Sequence, residues 1–160
     1  MSTTVKHKSD RYDCNEKQHF HCVNVNPTGR HTADCVIRAM ALFLQWTWTD
    51  VMKDLMAYCI ENGLMPNYKS GYRAYLTCQG FPSQKVSGKC TVKEFLEKYA
   101  KPGKSYLVTT SNHMTCIRDG RIHDTWDCSN RSVKFYWEKE DREVRKPFYE
   151  VTILMETNEN

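Results

Sequence analysis

HMTCIRDGRIHDTW, residues 113–126, is the stretch that decides the fold. Asp119-Gly120 is the favoured pair for a two-residue type I′ turn, which demands positive φ at both positions. β-Branched and apolar residues alternate with polar ones on either side, so the segment reads as a β-hairpin. A two-residue loop fixes the register: Arg118 faces Arg121, Ile117 faces Ile122, Thr115 faces Asp124 and His113 faces Trp126. Side chains at 113, 115, 117, 122, 124 and 126 then share one face. His113 and Asp124 become diagonal neighbours, about 7–8 Å apart at the backbone and within reach through their side chains.

Working outward, residues 105–110, 132–137 and 148–154 are rich in β-branched and aromatic residues and read as further strands. Near the other end, FHCVNVN at 20–26 alternates apolar and polar and reads as a short strand, closed by the turn Asn26-Pro27-Thr28-Gly29. Helices fill the space between. One begins at Asp34-Cys35, with Val36, Ala39, Met40, Phe43 and Leu44 at helical spacing and Thr32 or Asp34 to cap it. A second runs from Trp48 behind Thr47-x-x-Asp50 to a stop at Gly63. A shorter third is expected over 70–79, closed by Gly80. The capping box Thr91-x-x-Glu94 opens a fourth, which Pro102-Gly103 ends. Helices first and strands after is the α+β pattern, with N-terminal helices packed on a C-terminal antiparallel sheet. A single domain is expected over 19–156, preceded by a polar segment at 1–18.

Composition narrows the function. The chain has 160 residues, 40 % hydrophobic and 26 % charged, as a globular domain with its own core should. Its net charge of +4 is scattered rather than striped, which gives no reason to expect nucleic acid as partner. MSTTVKHKSD at the start has no apolar core of a signal peptide, and no run approaches a membrane span. The expectation is a cytoplasmic protein with no membrane association. Its eight cysteines lie mostly inside apolar patterns, where Cys packs as a small hydrophobe, so they are expected to be reduced.

Cys35 is the candidate nucleophile. It stands where a loop meets the N-terminus of a strongly apolar helix, beside unpaired amides and the positive end of the macrodipole. Such a site lowers a thiol pKa from about 8.5 to as little as about 3.5, and the thiolate is the reactive form. The same amides can bind a developing oxyanion. His113 is the candidate general base, and Asp124 the carboxylate that orients it. Asp127 has the wrong parity and serves only if the strand bulges. Asp119 is occupied by the turn, and His123 faces away from Asp124.

This order along the chain, Cys on a helix start, then His and Asp on neighbouring strands, resembles the papain-like cysteine peptidases. Asp34-Cys35 with the following VIRAMA resembles the cysteine helix of bacteriocin-processing peptidases and of ovarian-tumour-type deubiquitinases. DCVIRAMA, TVKEF and NHMTCIRDGRIHDTWDCSNRSVKFYW together resemble small papain-like proteins of bacteria and their phages, over about residues 24–138. The resemblance implies a papain-like fold and a thiol hydrolase acting on a protein or peptide through Cys35, His113 and Asp124, without a cofactor. Papain-like enzymes place a Gln a few residues before the Cys to donate to the oxyanion. Here the position is Gly29, which leaves Asn26, Thr28, Thr32 or the Cys35 amide as donors. Val36 also stands where the bacteriocin processors have Gly.

Two other readings compete. Cys14, His19, His21 and Cys22 have the atoms of a zinc site, but strand alternation separates His21 from Cys22 and the spacing fits no common knuckle. A papain-like binding protein without turnover, such as a phage factor directed at a host protein, would also keep the shape. Trp46, Trp48, Tyr72, Trp126 and Trp137 are read mainly as core, with a cleft lining as the alternative. Lys and Arg over 134–146 read as a solvated face.

Overall fold

The computed structural model describes residues 14–148. Along the chain come β1 (Phe20–Cys22), α1 (Cys35–Leu44), α2 (Trp48–Asn62), α3 (Lys69–Cys78), α4 (Val92–Lys98), β2 (Lys104–Thr109), β3 (Met114–Arg118), β4 (Arg121–Asp124) and β5 (Phe135–Glu140). All but the first residue of the expected strand at 148–154, and the first 13 residues of the polar segment, lie outside the described residues.

The hairpin forms in the register its turn dictates. Asp119 and Gly120 have φ of 50° and 70°, and Cys116, Ile117 and Arg118 face His123, Ile122 and Arg121. Around it the sheet runs β1-β4-β3-β2-β5. The expectation of a purely antiparallel sheet needs correction, because β1 lies parallel to β4. A parallel neighbour requires a long crossover. All four helices and two strands lie between β1 and β4, so the chain supplies one easily. β1 is also shorter than the alternation promised. Asn24 and Asn26 accept from backbone amides two residues on, Asn26 N at 3.0 Å and Thr28 N at 3.0 Å, and these Asx turns divert the backbone from the ladder.

Helices cover both faces of the sheet. α1, α2 and α3 bury Met40, Phe43, Leu55 and Tyr75 against Leu107, Met114, Cys116 and Trp137. On the other face Val92 and Phe95 of α4 close over Phe20, Tyr106, Val108, Ile117 and Ile122. Alternate positions of β3 therefore feed different cores, Met114 and Cys116 the first and Ile117, with its partner Ile122, the second. α4 is only seven residues long and leans on its cap: Thr91 Oγ1 accepts from Glu94 N at 3.1 Å, and Glu94 Oε2 accepts from Thr91 N at 2.8 Å. Losing such a cap costs about 1 kcal/mol, which in a domain of this size lowers Tm by about 2–4 °C. Thr91→Ala should show that drop by calorimetry and Thr91→Ser should recover most of it.

The expectation that all cysteines are reduced is also corrected. Cys14 and Cys22 are joined in a disulfide, because the turn over Lys17–Phe20 folds residues 14–22 back until their Cα atoms are 5.2 Å apart. The other six cysteines are free.

Candidate active site

α1 is the element on which the site is built. Nearly every residue of the helix after Cys35 is buried, Arg38 among them. Asp34 precedes it but does not cap it, so the first-turn amides have no side-chain acceptor. Cys35 itself is half-buried, on the wall of a cleft of about 300 Å³ with Val36, Tyr72, His113 and Met114.

His113 sits one residue before β3, at the end of the sheet that α1 crosses. The imidazole Nε2 lies 2.6 Å from Oδ2 of Asp124. Sequence register had made these two diagonal neighbours, and the side chains span the gap. With Nε2 engaged, Nδ1 is the ring nitrogen left for Cys35, which lines the same cleft as the imidazole and interacts with it electrostatically. The indole of Trp126 covers the ring, with centroids 4.8 Å apart and planes tilted 49°.

Electrostatics follow from these contacts. Burial disfavours charge on all three groups, and the pairing overcomes it. The Cys35 thiol is pushed up by burial but brought below its ordinary value by the His113 hydrogen bond and charge, the Met114 amide and Arg38. Burial opposes the imidazolium too, yet Asp124, Cys128 and Cys35 together hold His113 far above its ordinary value. Asp124, wholly enclosed, is kept ionised by His113 and Arg38 despite its desolvation. A thiolate beside an imidazolium is the state these shifts favour.

A buried charge network stands behind the carboxylate. Arg38 Nη1 donates to Asp124 Oδ1 at 2.9 Å while its Nε donates to Asp34 Oδ1 at 2.7 Å. Oδ2 of Asp34 accepts from Trp48 Nε1 at 2.9 Å and from Asn26 Nδ2 at 3.0 Å. The Thr125 amide, 2.7 Å away, completes Oδ1 of Asp124, and the Cys128 thiol lies 3.9 Å from Oδ2. Each oxygen of Asp124 is thus held from two sides. Sequence reasoning passed over Arg38, although a lone Arg inside VIRAMALFL, four residues after an Asp, was a signal for a buried i,i+4 pair.

The residues expected to donate to an oxyanion have other partners. Asn26 gives its amide to Asp34, and Thr28 Oγ1 donates to Asn26 Oδ1 at 2.9 Å. Neither lines the cleft beside Cys35. The first-turn amides of α1 have no side-chain acceptor, and Asn67, Lys69, Ser111 and Asn112 are polar side chains on the lining of the Cys35 cleft. Asp127 is bound by Lys17 at 2.7 Å and His19 at 3.0 Å, away from His113's partner. Trp137 is core, Trp46 and Trp48 pack beside it, and Tyr72 and Trp126 border clefts.

No family model, curated protein or solved structure matches the chain.

The four residues weighed as a zinc site are dispersed: Cys14 and Cys22 bond each other, His19 binds Asp127 and His21 binds Glu16. Among the described residues, His113, Asp124 and Cys128 bring donor atoms within 4.8 Å of one another, as a metal would require. The Arg38 guanidinium on Asp124 and a Cys128 thiol pushed up by burial both oppose a divalent ion there. No helix among the described residues is long and apolar enough to cross a membrane.

Proposed function

We propose that the chain is a thiol hydrolase of papain-like plan, a cysteine peptidase or isopeptidase, in which Cys35 attacks, His113 transfers the proton and Asp124 holds the imidazole. The observation that carries this reading is the 2.6 Å contact of His113 Nε2 with Asp124 Oδ2, on an imidazole that lines one cleft together with Cys35. The thiolate adds to the carbonyl carbon of an amide, forming a C–S bond and an oxyanion beside the first turn of α1. His113 then gives its proton to the departing amine as the C–N bond breaks, leaving a thioester on Cys35. Water, deprotonated by the now neutral His113, attacks the thioester. Its C–S bond breaks, the acid leaves and the ion pair is restored.

Iodoacetamide at pH 6, with labelled peptides quantified by mass spectrometry, tests the ion pair directly. Cys78 is exposed and serves as the accessible reference, whereas Cys59, Cys90, Cys116 and Cys128 are buried. Half-buried Cys35 should label faster than Cys78, because at pH 6 only a thiol with a depressed pKa is substantially ionised. Labelling of Cys78 at the same or a higher rate would leave a binding domain with a papain-like shape as the better reading.

A further inference from the structure

We infer that the amine side of the substrate, the part released first, is an acidic peptide segment received by Arg131 and Lys134; this rests on the hydrolase reading above. Two clefts meet at His113. The smaller contains Cys35, with Val36, Tyr68, Tyr72 and Met114 on its walls beside the polar Asn67 and Lys69, and it shares residues 110–113 with the larger. The larger, about 790 Å³, has His113 and Trp126 on its wall but not Cys35. Chemistry assigns the two. The acyl group stays bonded to sulfur after the C–N bond breaks, so it occupies the cleft that holds Cys35. The leaving amine takes its proton from the imidazole, so it lies on the side that His113 borders and Cys35 does not.

That leaving-side cleft is cationic. Arg131 and Lys134 are both exposed on its lining, and no Asp or Glu lines it. Among the described residues no carboxylate lies within ion-pair distance of either side chain. The nearby acids are committed, Asp124 to His113 and Arg38, and Asp127 to Lys17 and His19. Arg131 is also fixed close to the chemistry. Its guanidinium carbon lies 5.7 Å from the Trp126 ring, and that ring covers His113. A peptide running outward at about 3.3–3.6 Å per residue brings its second or third leaving-side residue to the guanidinium. Ser111, Asn112, Asn130 and Ser132 add neutral polar groups for the backbone between. Carboxylates suit a planar fork and an ammonium at that range, and lysine side chains do not.

The test uses three dye-labelled octapeptides identical on the acyl side, with Glu-Glu, Gln-Gln or Lys-Lys at the second and third leaving-side positions. Binding to the Cys35→Ala chain is followed by anisotropy, so that it is read without turnover. The Glu peptide should bind about tenfold tighter than the Gln peptide, as one or two charge-assisted hydrogen bonds provide. Adding Arg131→Glu and Lys134→Glu should reverse the order in favour of the Lys peptide. Equal affinities, no binding of any peptide, or a preference that survives charge reversal overturns the inference. Turnover by the unmodified chain separates the two readings. Cleavage of all three at one rate sinks the acidic preference and keeps the hydrolase. A binding preference for Glu with no cleavage sinks the hydrolase, and the leaving-group assignment with it.

Discussion

His113→Ala is expected to leave the chain folded and to remove the acid reactivity of Cys35. His113 lies at the end of the sheet and its loss leaves both apolar clusters intact, while Asp124 loses one buried partner and keeps Arg38, so some stability is lost without unfolding. The thiol, however, loses the partner that brought its pKa below the ordinary value, while the burial that raises it remains. For a thiol returned to about 8.5, the ionised fraction at pH 6 is about 300-fold lower than for one fully ionised there. Nucleophilicity partly offsets this, because a more basic thiolate is intrinsically faster. With a Brønsted slope of about 0.4–0.5 the offset is expected to be smaller than the loss of ionised thiol, so the alkylation rate falls. The ionised fraction dominates. In the unmodified chain the rate should fall, as the pH is lowered, at a lower pH than in the variant, because its thiol value is the depressed one. In the variant it should still be climbing with pH above 7. Peptide turnover suffers more, since the proton donor to the leaving amine is gone as well, and a fall of about 10³-fold or greater is expected. Cys35→Ala removes the nucleophile itself and should abolish turnover with little effect on Tm, since the Asp124 pairings remain. A His113→Ala chain that alkylates at the unmodified rate at pH 6 is incompatible with the proposed relay.

The parts of this site that were legible in the sequence are those fixed by local chemistry. Asp119-Gly120 set a two-residue turn, the turn set the register, and the register put His113 and Asp124 on one face before any packing was considered. The apolar stripe starting at Val36 likewise placed Cys35 on a helix start. Illegible parts depend on choices the chain makes across long separations. β1 could join either edge of the sheet in either direction, and nothing between Phe20 and Cys22 encodes its pairing with Ile122–Asp124. Asp34 is a good N-cap by type, yet in the fold its carboxylate serves Arg38, Trp48 and Asn26 instead. An Asp that caps and an Asp that braces a buried cation read alike in sequence, and the second role appears only once α1 is laid against β4. Asn26 was misplaced for the same reason: its amide was free on paper and is committed to Asp34 in three dimensions.

Arg38→Met is expected to destabilise the fold by about 3–5 kcal/mol at pH 7, the usual cost of breaking a buried ion pair from one side. Met matches much of the volume of the Arg stem, so lost packing contributes little. The cost arises at the two carboxylates left behind. Asp34 is 5 % exposed and Asp124 is 2 % exposed, and among the described residues Arg38 is the only Arg or Lys paired with either. Asp124 keeps His113, whereas Asp34 keeps only neutral donors. Both carboxyls have folded-state pKa values below their ordinary ones, so their contribution is present above about pH 4 and is lost as pH falls through the depressed values. Without Arg38 that depression shrinks, and the gap between the two chains in urea denaturation should narrow as the pH is taken below about 4. Arg38→Lys should fall between them. One ammonium cannot reproduce the fork in which Nε serves Asp34 and Nη1 serves Asp124. Adding Asp34→Asn to Arg38→Met should recover part of the loss, because the amide no longer needs a cation while Asn26 and Trp48 can still reach its oxygen. If Arg38→Met instead costs under about 1 kcal/mol, the network is too well hydrated to be the brace described here.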